Sequence, residues 1–155
     1  MIEMAENSDK HIGTYICIFN KGFSEVLLLW RTKEERDGEI IKGWGLVGGT
    51  VEPGEEPLQA SIREAKEELG VYFEPNNLIL VGMKTSPETS PHKWEAYFYA
   101  ACVDESIAIK LSNESRGYGW FCKDELPEGT LDSKEDILGW WASAENTFNN
   151  GQARA

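Results

Sequence analysis

Three glutamates at helical spacing are the residues of this chain best suited to chemistry. Glu64, Glu67 and Glu68 stand at positions i, i+3 and i+4, which places their carboxylates on one side of an α-helix. Like charges at this spacing destabilise an isolated helix by about 0.2–0.5 kcal/mol per pair. A divalent cation would relieve the repulsion, because Mg²⁺ prefers carboxylate oxygens as ligands. The spacing therefore indicates metal-dependent chemistry, with a solvated acidic face as the alternative.

A glycine-rich segment precedes this helix. Gly48 and Gly49 directly follow a short apolar stretch, Trp44–Val47. Gly54 lies in the loop that comes next. Glycines allow positive φ and let the backbone approach a ligand or a metal closely. A strand, a glycine-rich loop and an acidic helix in this order predict a site for a bound polyanion and its metals.

The helix that carries the glutamates is predicted over Glu56–Leu69, and Gly70 ends it. Arg63 and Lys66 lie outside the sector of the three carboxylates, so we expect them to neutralise it only in part. The predicted core-facing stripe consists of four apolar residues at helical spacing: Leu58, Ile62, Ala65 and Leu69.

The rest of the chain predicts strands and one more helix. Thr32–Gly43 is predicted to be a charged loop, and Ser133 and Asp136 are spaced as a capping box at the start of a C-terminal helix that stops at Asn149–Gly151. Runs rich in β-branched and aromatic residues predict five strands: Gly13–Asn20, Ser24–Arg31, Asn77–Lys84, Trp94–Val103 and Tyr118–Cys122. The buried side of the C-terminal helix is predicted to be Ile137, Leu138, Trp140 and Trp141. The fold class is therefore α+β.

Length and composition agree with one compact domain. The chain has 155 residues, of which 41% are hydrophobic and 27% are charged. We expect a domain over residues 11–150, a polar N-terminal tail over 1–10 and a C-terminal tail over 151–155. No apolar run approaches the roughly 20 residues that cross a bilayer, and the N-terminus does not resemble a signal peptide. These features favour a cytoplasmic protein without a membrane partner.

The charge balance limits the partners. Asp and Glu number 27 against 15 Lys and Arg, which gives a formal net charge of -12. Such a chain repels a nucleic-acid backbone unless a cation or a local basic patch intervenes. The three cysteines are far apart in apolar or aromatic sequence and predict buried thiols rather than a zinc site.

The segment from Gly48 to Val71 resembles the box that defines the Nudix family. That box reads Gly, five residues, Glu, seven residues, Arg-Glu, an aliphatic, one residue, Glu-Glu, one residue, Gly and an aliphatic. Ala65 is small for its aliphatic position, and Val47 stands where many members have proline. All fixed polar and glycine positions are filled: Gly49, Glu55, Arg63, Glu64, Glu67, Glu68 and Gly70. The resemblance extends over residues 12–148.

The resemblance implies a fold and an activity. The fold would be an α/β/α sandwich with a mixed β-sheet between helices. The activity would be hydrolysis of a nucleoside diphosphate linked to another moiety, by attack of water on phosphorus. The implied cofactor is Mg²⁺, with Mn²⁺ as a substitute.

The resemblance also assigns roles to residues of the box. Glu64, Glu67 and Glu68 would coordinate the metal with the backbone carbonyl of Gly48, and Glu64 would act as general base. Arg63 would orient the catalytic carboxylates. The residues that support the loop would be Gly49, Glu55 and Gly70.

Two positions outside the box are further candidates. Glu114 precedes Trp120 at the spacing at which related enzymes place an additional acidic metal ligand. Arg31 ends the second predicted strand, where related enzymes often have an arginine that contacts a substrate phosphate. An ordinary loop glutamate and a solvated strand-end charge are the respective alternatives.

The substrate class follows less directly. The chain looks most like MutT-type enzymes, which predicts a (deoxy)nucleoside triphosphate as substrate and a nucleoside monophosphate plus pyrophosphate as products. ADP-ribose, a dinucleoside polyphosphate and an RNA 5′ end are alternatives within enzymes. A non-catalytic module that senses a nucleotide is an alternative of another class, and a homodimer is left open.

Overall fold

The computed structural model describes residues 10–34, 38 and 40–151. The predicted tails fall mainly on residues 1–9 and 152–155, which lie outside the described residues. The strands are β1 (His11–Asn20), β2 (Glu25–Glu34), β3 (Ile40–Gly45), β4 (Val47–Thr50), β5 (Ile79–Thr85), β6 (Trp94–Val103) and β7 (Ser115–Cys122). The α-helices are α1 (Pro57–Leu69) and α2 (Lys134–Asn149).

The described strands form one mixed seven-stranded sheet. Its main order is β3-β2-β1-β6-β5, while β4 pairs with β1 and β7 pairs with β2. β1 runs parallel to β6 along its whole length, and the other pairings are antiparallel. β1 therefore lies at the centre, where its first half also pairs with β4 and its second half with β2.

Alternate residues of β1 point to opposite faces of the sheet, and each face carries a helix. Ile16 and Ile18 belong to a core shared with Ala65 and Leu69 of α1. On the other face, Cys17, Phe19 and Phe98 belong to a core shared with Trp140 and Trp141 of α2. This arrangement confirms the predicted α/β/α sandwich with a mixed sheet between helices.

Helix α1 begins and ends as the sequence predicts. The backbone N–H of Glu56 donates to Gln59 Oε1 at 2.9 Å, and Pro57 occupies the first turn. Gly70 ends the helix in the left-handed conformation, with φ of 68°, and its N–H donates to the Lys66 carbonyl. The predicted stripe is confirmed, since all four of its residues pack into the core on this face of the sheet.

Helix α2 has the predicted N-terminal cap. The Asp136 N–H donates to Ser133 Oγ at 3.0 Å. One residue of the predicted buried side is wrong: Leu138 is 38% exposed, because Ile137, Trp140 and Trp141 already fill the surface that faces the sheet.

The predicted loop over Thr32–Gly43 is also corrected. β2 continues to Glu34 and β3 starts at Ile40, and the two pair through residues such as Thr32 and Lys42. Thr32 of β2 and Ile40 of β3 are both exposed, so this part of the hairpin does not need an apolar face. The apolar alternation that signals a strand is therefore missing here. None of the described helices is long and apolar enough to cross a bilayer.

Candidate active site

The site is built where β4 passes along helix α1. Gly49 faces Glu64: a Cβ at position 49 would lie 2.6 Å from Glu64 Oε1 and 2.7 Å from its carboxyl carbon. Any side chain at this position would therefore displace the carboxylate. Gly48 is equally constrained, because a Cβ there would lie 2.1 Å from the Thr14 carbonyl oxygen of β1. The double glycine lets β4 fit between β1 and the acidic face of the helix.

Glu68 is a buried carboxylate with two partners. Its side chain is 1% exposed. Its Oε1 accepts a hydrogen bond from the Gly48 N–H at 3.0 Å, and its Oε2 accepts one from Arg31 Nη2 at 2.8 Å. Burial raises the pKa of Glu68 to about 7, against the lowering effects of the Arg31 charge and the Gly48 hydrogen bond. Glu68 is thus poised to change protonation near neutral pH.

Arg63 connects the other carboxylates of the site. It holds Glu55 with two hydrogen bonds, from Nε at 2.8 Å and from Nη2 at 3.0 Å. Its Nη1 lies 3.0 Å from Glu64 Oε1 and 3.3 Å from Glu67 Oε2, and its Nη2 also donates to the Thr50 carbonyl. A planar guanidinium suits this task because its donors have a fixed geometry. Arg63 therefore reaches the acidic sector more fully than helical spacing alone indicates.

The pKa values in this network follow from the contacts. Hydrogen bonds from Arg63 hold the pKa of Glu55 below its usual value. The pKa of Arg63 is raised, first by its hydrogen bond to Glu55. Burial raises the pKa of Glu64, while Arg63 acts in the opposite direction. Glu55 is thus kept ionised as an anchor, whereas Glu64 has the higher proton affinity expected of a base.

The loop before β7 brings Glu114 towards the same carboxylates. The last carbonyls of α1 are satisfied by this loop: the Lys110 N–H donates to the Leu69 carbonyl at 2.8 Å, and the Ser112 N–H to the Glu68 carbonyl at 3.2 Å. Glu114 is exposed, and its charge adds a smaller contribution to the burial effect that raises the pKa values of Glu64 and Glu68. The predicted acidic residue therefore lies within electrostatic reach of the site.

The donor set fits a hard divalent cation. Glu64, Glu67, Glu68 and the Gly48 carbonyl all offer oxygen, which Mg²⁺ and Mn²⁺ accept. The missing Cβ of Gly49 leaves the space that the Glu64 carboxylate occupies. As the side chains stand, no three His, Cys, Asp or Glu residues of the described ranges gather tightly enough to hold an ion. Arginines hold these carboxylates instead, and they supply the compensating charge.

Several contacts of the site cannot be predicted from the sequence. Arg31, expected at a substrate phosphate, also donates to the Leu46 carbonyl at 2.6 Å, and its Nη2 lies 3.4 Å from the Gly48 carbonyl. Thr14 of β1 bonds through its hydroxyl to Ser61 of α1, and both residues are fully buried. These pairs join residues that are distant in sequence, so neither periodicity nor a motif could find them.

Comparison with known proteins identifies the family. The NUDIX domain model matches residues 9–141. The chain is 33% identical over 116 residues to the 8-oxo-dGDP phosphatase NUDT18 of Homo sapiens, covering 72% of this chain and 32% of that protein. It is 33% identical over 91 residues to the asymmetrical bis(5′-nucleosyl)-tetraphosphatase of Sus scrofa, covering 55% of this chain and 59% of that protein. The chain thus spans less than two thirds of each of these relatives.

Solved structures share the fold. A MutT NUDIX hydrolase from Burkholderia pseudomallei superposes with a TM-score of 0.65 at 26% identity, covering 83% of this chain and 95% of that one. The family model covers most of the chain. The chain belongs to the NUDIX domain family.

Proposed function

We propose that this chain is a divalent-metal-dependent pyrophosphohydrolase that converts a (deoxy)nucleoside triphosphate and water to a nucleoside monophosphate and pyrophosphate. The observation that supports it most is the complete acidic face of α1. Glu64, Glu67 and Glu68 are all present beside the backbone of Gly48, in a chain of this family. A module that only senses nucleotides would not need to keep every carboxylate of the box.

Nudix hydrolases generally use divalent metal ions. In this chain Glu64, Glu67, Glu68 and the Gly48 carbonyl would hold the ion, with Glu114 as a further ligand. We propose Mg²⁺, with Mn²⁺ as a substitute, because the donors are all oxygens. When bound, the ion neutralises phosphate charge and makes water a better nucleophile.

Glu64 is the proposed general base. Its carboxylate accepts the proton of the attacking water as the water oxygen bonds to phosphorus and the anhydride P–O bond breaks, with pyrophosphate as the leaving group. The raised pKa of Glu64 suits this step, because a base with higher proton affinity takes the proton more readily. Arg63 orients Glu64 and Glu67 and is itself held by Glu55.

The choice of substrate class is based on the substrates that the relatives' names give and on the net charge of the chain. The two relatives named above act, by their names, on a nucleoside diphosphate and on a dinucleoside tetraphosphate, both nucleotides with phosphoanhydride bonds. The Sus scrofa relative makes a dinucleoside polyphosphate the second candidate. Long RNA is disfavoured by the net charge of -12.

A product analysis tests the proposal. The protein would be incubated with Mg²⁺ and, separately, with nucleoside triphosphates, ADP-ribose, a dinucleoside tetraphosphate and 5′-triphosphorylated RNA, and the products separated by ion exchange. We expect monophosphate and pyrophosphate from a triphosphate, and loss of turnover when EDTA is added. Faster cleavage of the dinucleoside tetraphosphate would favour the second candidate. Nucleotide binding without any hydrolysis would contradict both enzyme candidates.

A further inference from the structure

The Arg31 guanidinium occupies the oxygens that a divalent cation would need. Its Nη2 is 2.8 Å from Glu68 Oε2 and 3.4 Å from the Gly48 carbonyl oxygen, and its Nη1 is 2.6 Å from the Leu46 carbonyl oxygen. Glu68 and the Gly48 carbonyl are both in the proposed metal-binding set. Two cations close to the same oxygens repel each other strongly where water is largely excluded.

Burial explains why Glu68 needs a cation when it is ionised. The Glu68 side chain is 1% exposed, and an ionised carboxylate without a partner is costly at such a position. In the described part of the chain, Arg31 is the basic side chain that pairs with Glu68. In the metal-free protein, Arg31 thus neutralises the charge of the Glu68 carboxylate, as a bound metal ion would do.

The surroundings of Arg31 fix its backbone and leave room for its side chain. The backbone of Arg31 is held between Gly43 of β3 and Ser115 of β7. Gly45 leaves room for its aliphatic part, because a Cβ at position 45 would lie 3.3 Å from Arg31 Cδ. The Arg31 side chain is 19% exposed, so part of it borders solvent.

We propose that Arg31 is the internal counter-cation of Glu68, and that the Arg31–Glu68 ion pair and a bound divalent cation exclude each other. The pair breaks when the metal enters, and the released guanidinium then contacts a phosphate of the nucleotide. Metal therefore binds before nucleotide in the productive order. This inference rests on the proposed function, because it assumes that Glu68 is a metal ligand. Arg31 acts in the metal step as a positioning residue.

Metal binding without nucleotide tests the inference. Arg31→Met keeps an unbranched side chain but removes the charge, and its Mn²⁺ affinity would be measured by titration followed by electron paramagnetic resonance. We expect about tenfold tighter Mn²⁺ binding than in wild type, because the competing cation is gone. The matched control is Arg116→Met, which removes an exposed charge on β7, between Ser115 and Gly117, while Glu68 keeps its contacts with Arg31 and Gly48. Its Mn²⁺ affinity should change less than twofold.

Thermal melts separate this role from a purely structural one. Arg31→Met should melt below wild type in EDTA, and the difference should shrink or reverse at saturating Mn²⁺. Equal losses of Tm with and without metal, together with unchanged Mn²⁺ affinity, would overturn the inference. Should Arg31→Met fail to fold, the wild-type protein gives the same information by NMR. The guanidinium N–H protons of Arg31 should exchange slowly with water in EDTA and lose that protection when Mg²⁺ is added.

The two proposals fail in different ways. If wild type binds Mn²⁺ and hydrolyses nucleotides but Arg31→Met and the NMR titration show no coupling, the counter-cation role is wrong and the proposed function stands. If wild type neither binds Mn²⁺ nor hydrolyses any nucleotide, the proposed function is wrong, and the counter-cation role falls with it.

Discussion

Of the three carboxylates on α1, Glu67 is the closest to solvent, Glu64 is largely buried and Glu68 is enclosed. Glu67 is 57% exposed and is held on one side by Arg63. An exposed carboxylate that an arginine positions can turn to a metal without unpacking the core. A substitution that removes the charge of Glu67 should therefore cost the folded protein little stability.

Glu67→Gln keeps the size of the side chain and removes its charge. We expect the turnover of the variant to fall by about two to three orders of magnitude, because a neutral amide is a poor ligand for a hard cation. Steady-state hydrolysis and circular dichroism would be measured together. Glu88→Gln, an exposed acid on the loop between β5 and β6, is the control and should behave as wild type. Wild-type turnover of Glu67→Gln would contradict the metal assignment.

The raised pKa of Glu68 predicts a pH dependence of stability. Its pKa is about 7 in the folded protein and 4.5 as the ordinary value, so the folded state binds more protons than the unfolded state between these pH values. The free energy of unfolding of the metal-free protein should therefore fall as pH rises from 4.5 to 7, by about 3 kcal/mol from this group.

Urea unfolding of the metal-free protein at a series of pH values measures this effect. Glu68→Gln cannot titrate, so its stability should vary less over the same interval than that of wild type. Parallel pH profiles for the two proteins would show that Glu68 has an ordinary pKa.

At the residue scale, the sequence could identify the carboxylates of α1 because helical spacing alone places them together. It could not identify the Arg31–Glu68 pair, since these residues are 37 positions apart. They meet only when α1 packs against the sheet that contains β2. Gly49 was predicted from the box as loop support, but its contact with Glu64 depends on how β4 lies along the helix.

Helix α1 and strand β4 together form the frame of the site. The Thr14 and Ser61 hydroxyls join α1 to β1, and the loop at Lys110–Ser112 caps its C-terminal carbonyls. The helix is thus tied to β1, which pairs directly with β4. The close approach of the Gly49 backbone to the Glu64 carboxylate follows from this packing.

Gly49→Ala tests this frame. The added Cβ would lie 2.6 Å from Glu64 Oε1, so the carboxylate must move. Because the clash is with the end of a flexible side chain, we expect a small change in Tm but about a hundredfold loss of turnover.

Gly139→Ala on α2 is the matched control. A Cβ at Gly139 meets nothing within 4 Å, and alanine favours a helix over glycine by about 0.5–1 kcal/mol. This variant should be more stable than wild type and equally active. Full activity of Gly49→Ala would show that Glu64 does not need its present position.

At the element scale, sequence patterns located both helices and most strands, because each buries one face and shows the corresponding periodicity. The pattern failed at the β2–β3 hairpin, whose end lies outside the core and pairs through its backbone. It also failed at Leu138, which remains partly exposed because Trp140 and Trp141 already cover the sheet beneath α2.

In the whole molecule, the sheet carries one packed core on each of its two faces, and the acidic site lies on the face that carries α1. The chain carries a net charge of -12, which concentrates cations near its surface. The same charge disfavours the folded state through self-repulsion, most of all where carboxylates are close together. Cation binding at α1 should relieve part of this cost.

Millimolar Mg²⁺ should therefore raise the Tm of the wild-type protein through preferential binding to the folded state. Thermal melts in EDTA and in Mg²⁺ measure the shift, with NaCl at matched ionic strength as the control for general screening. Glu67→Gln should show a smaller shift than wild type. An identical Tm in both solutions, with and without nucleotide, would count against a metal site.

The central claim is that the carboxylates of α1 hold a divalent cation for phosphoanhydride hydrolysis. The most direct measurement is an anomalous difference map from crystals soaked in Mn²⁺. We expect a peak coordinated by Glu64, Glu67 and Glu68, with Arg31 turned away from Glu68. Clear density for these side chains in their metal-free positions, without a peak among them, would contradict it.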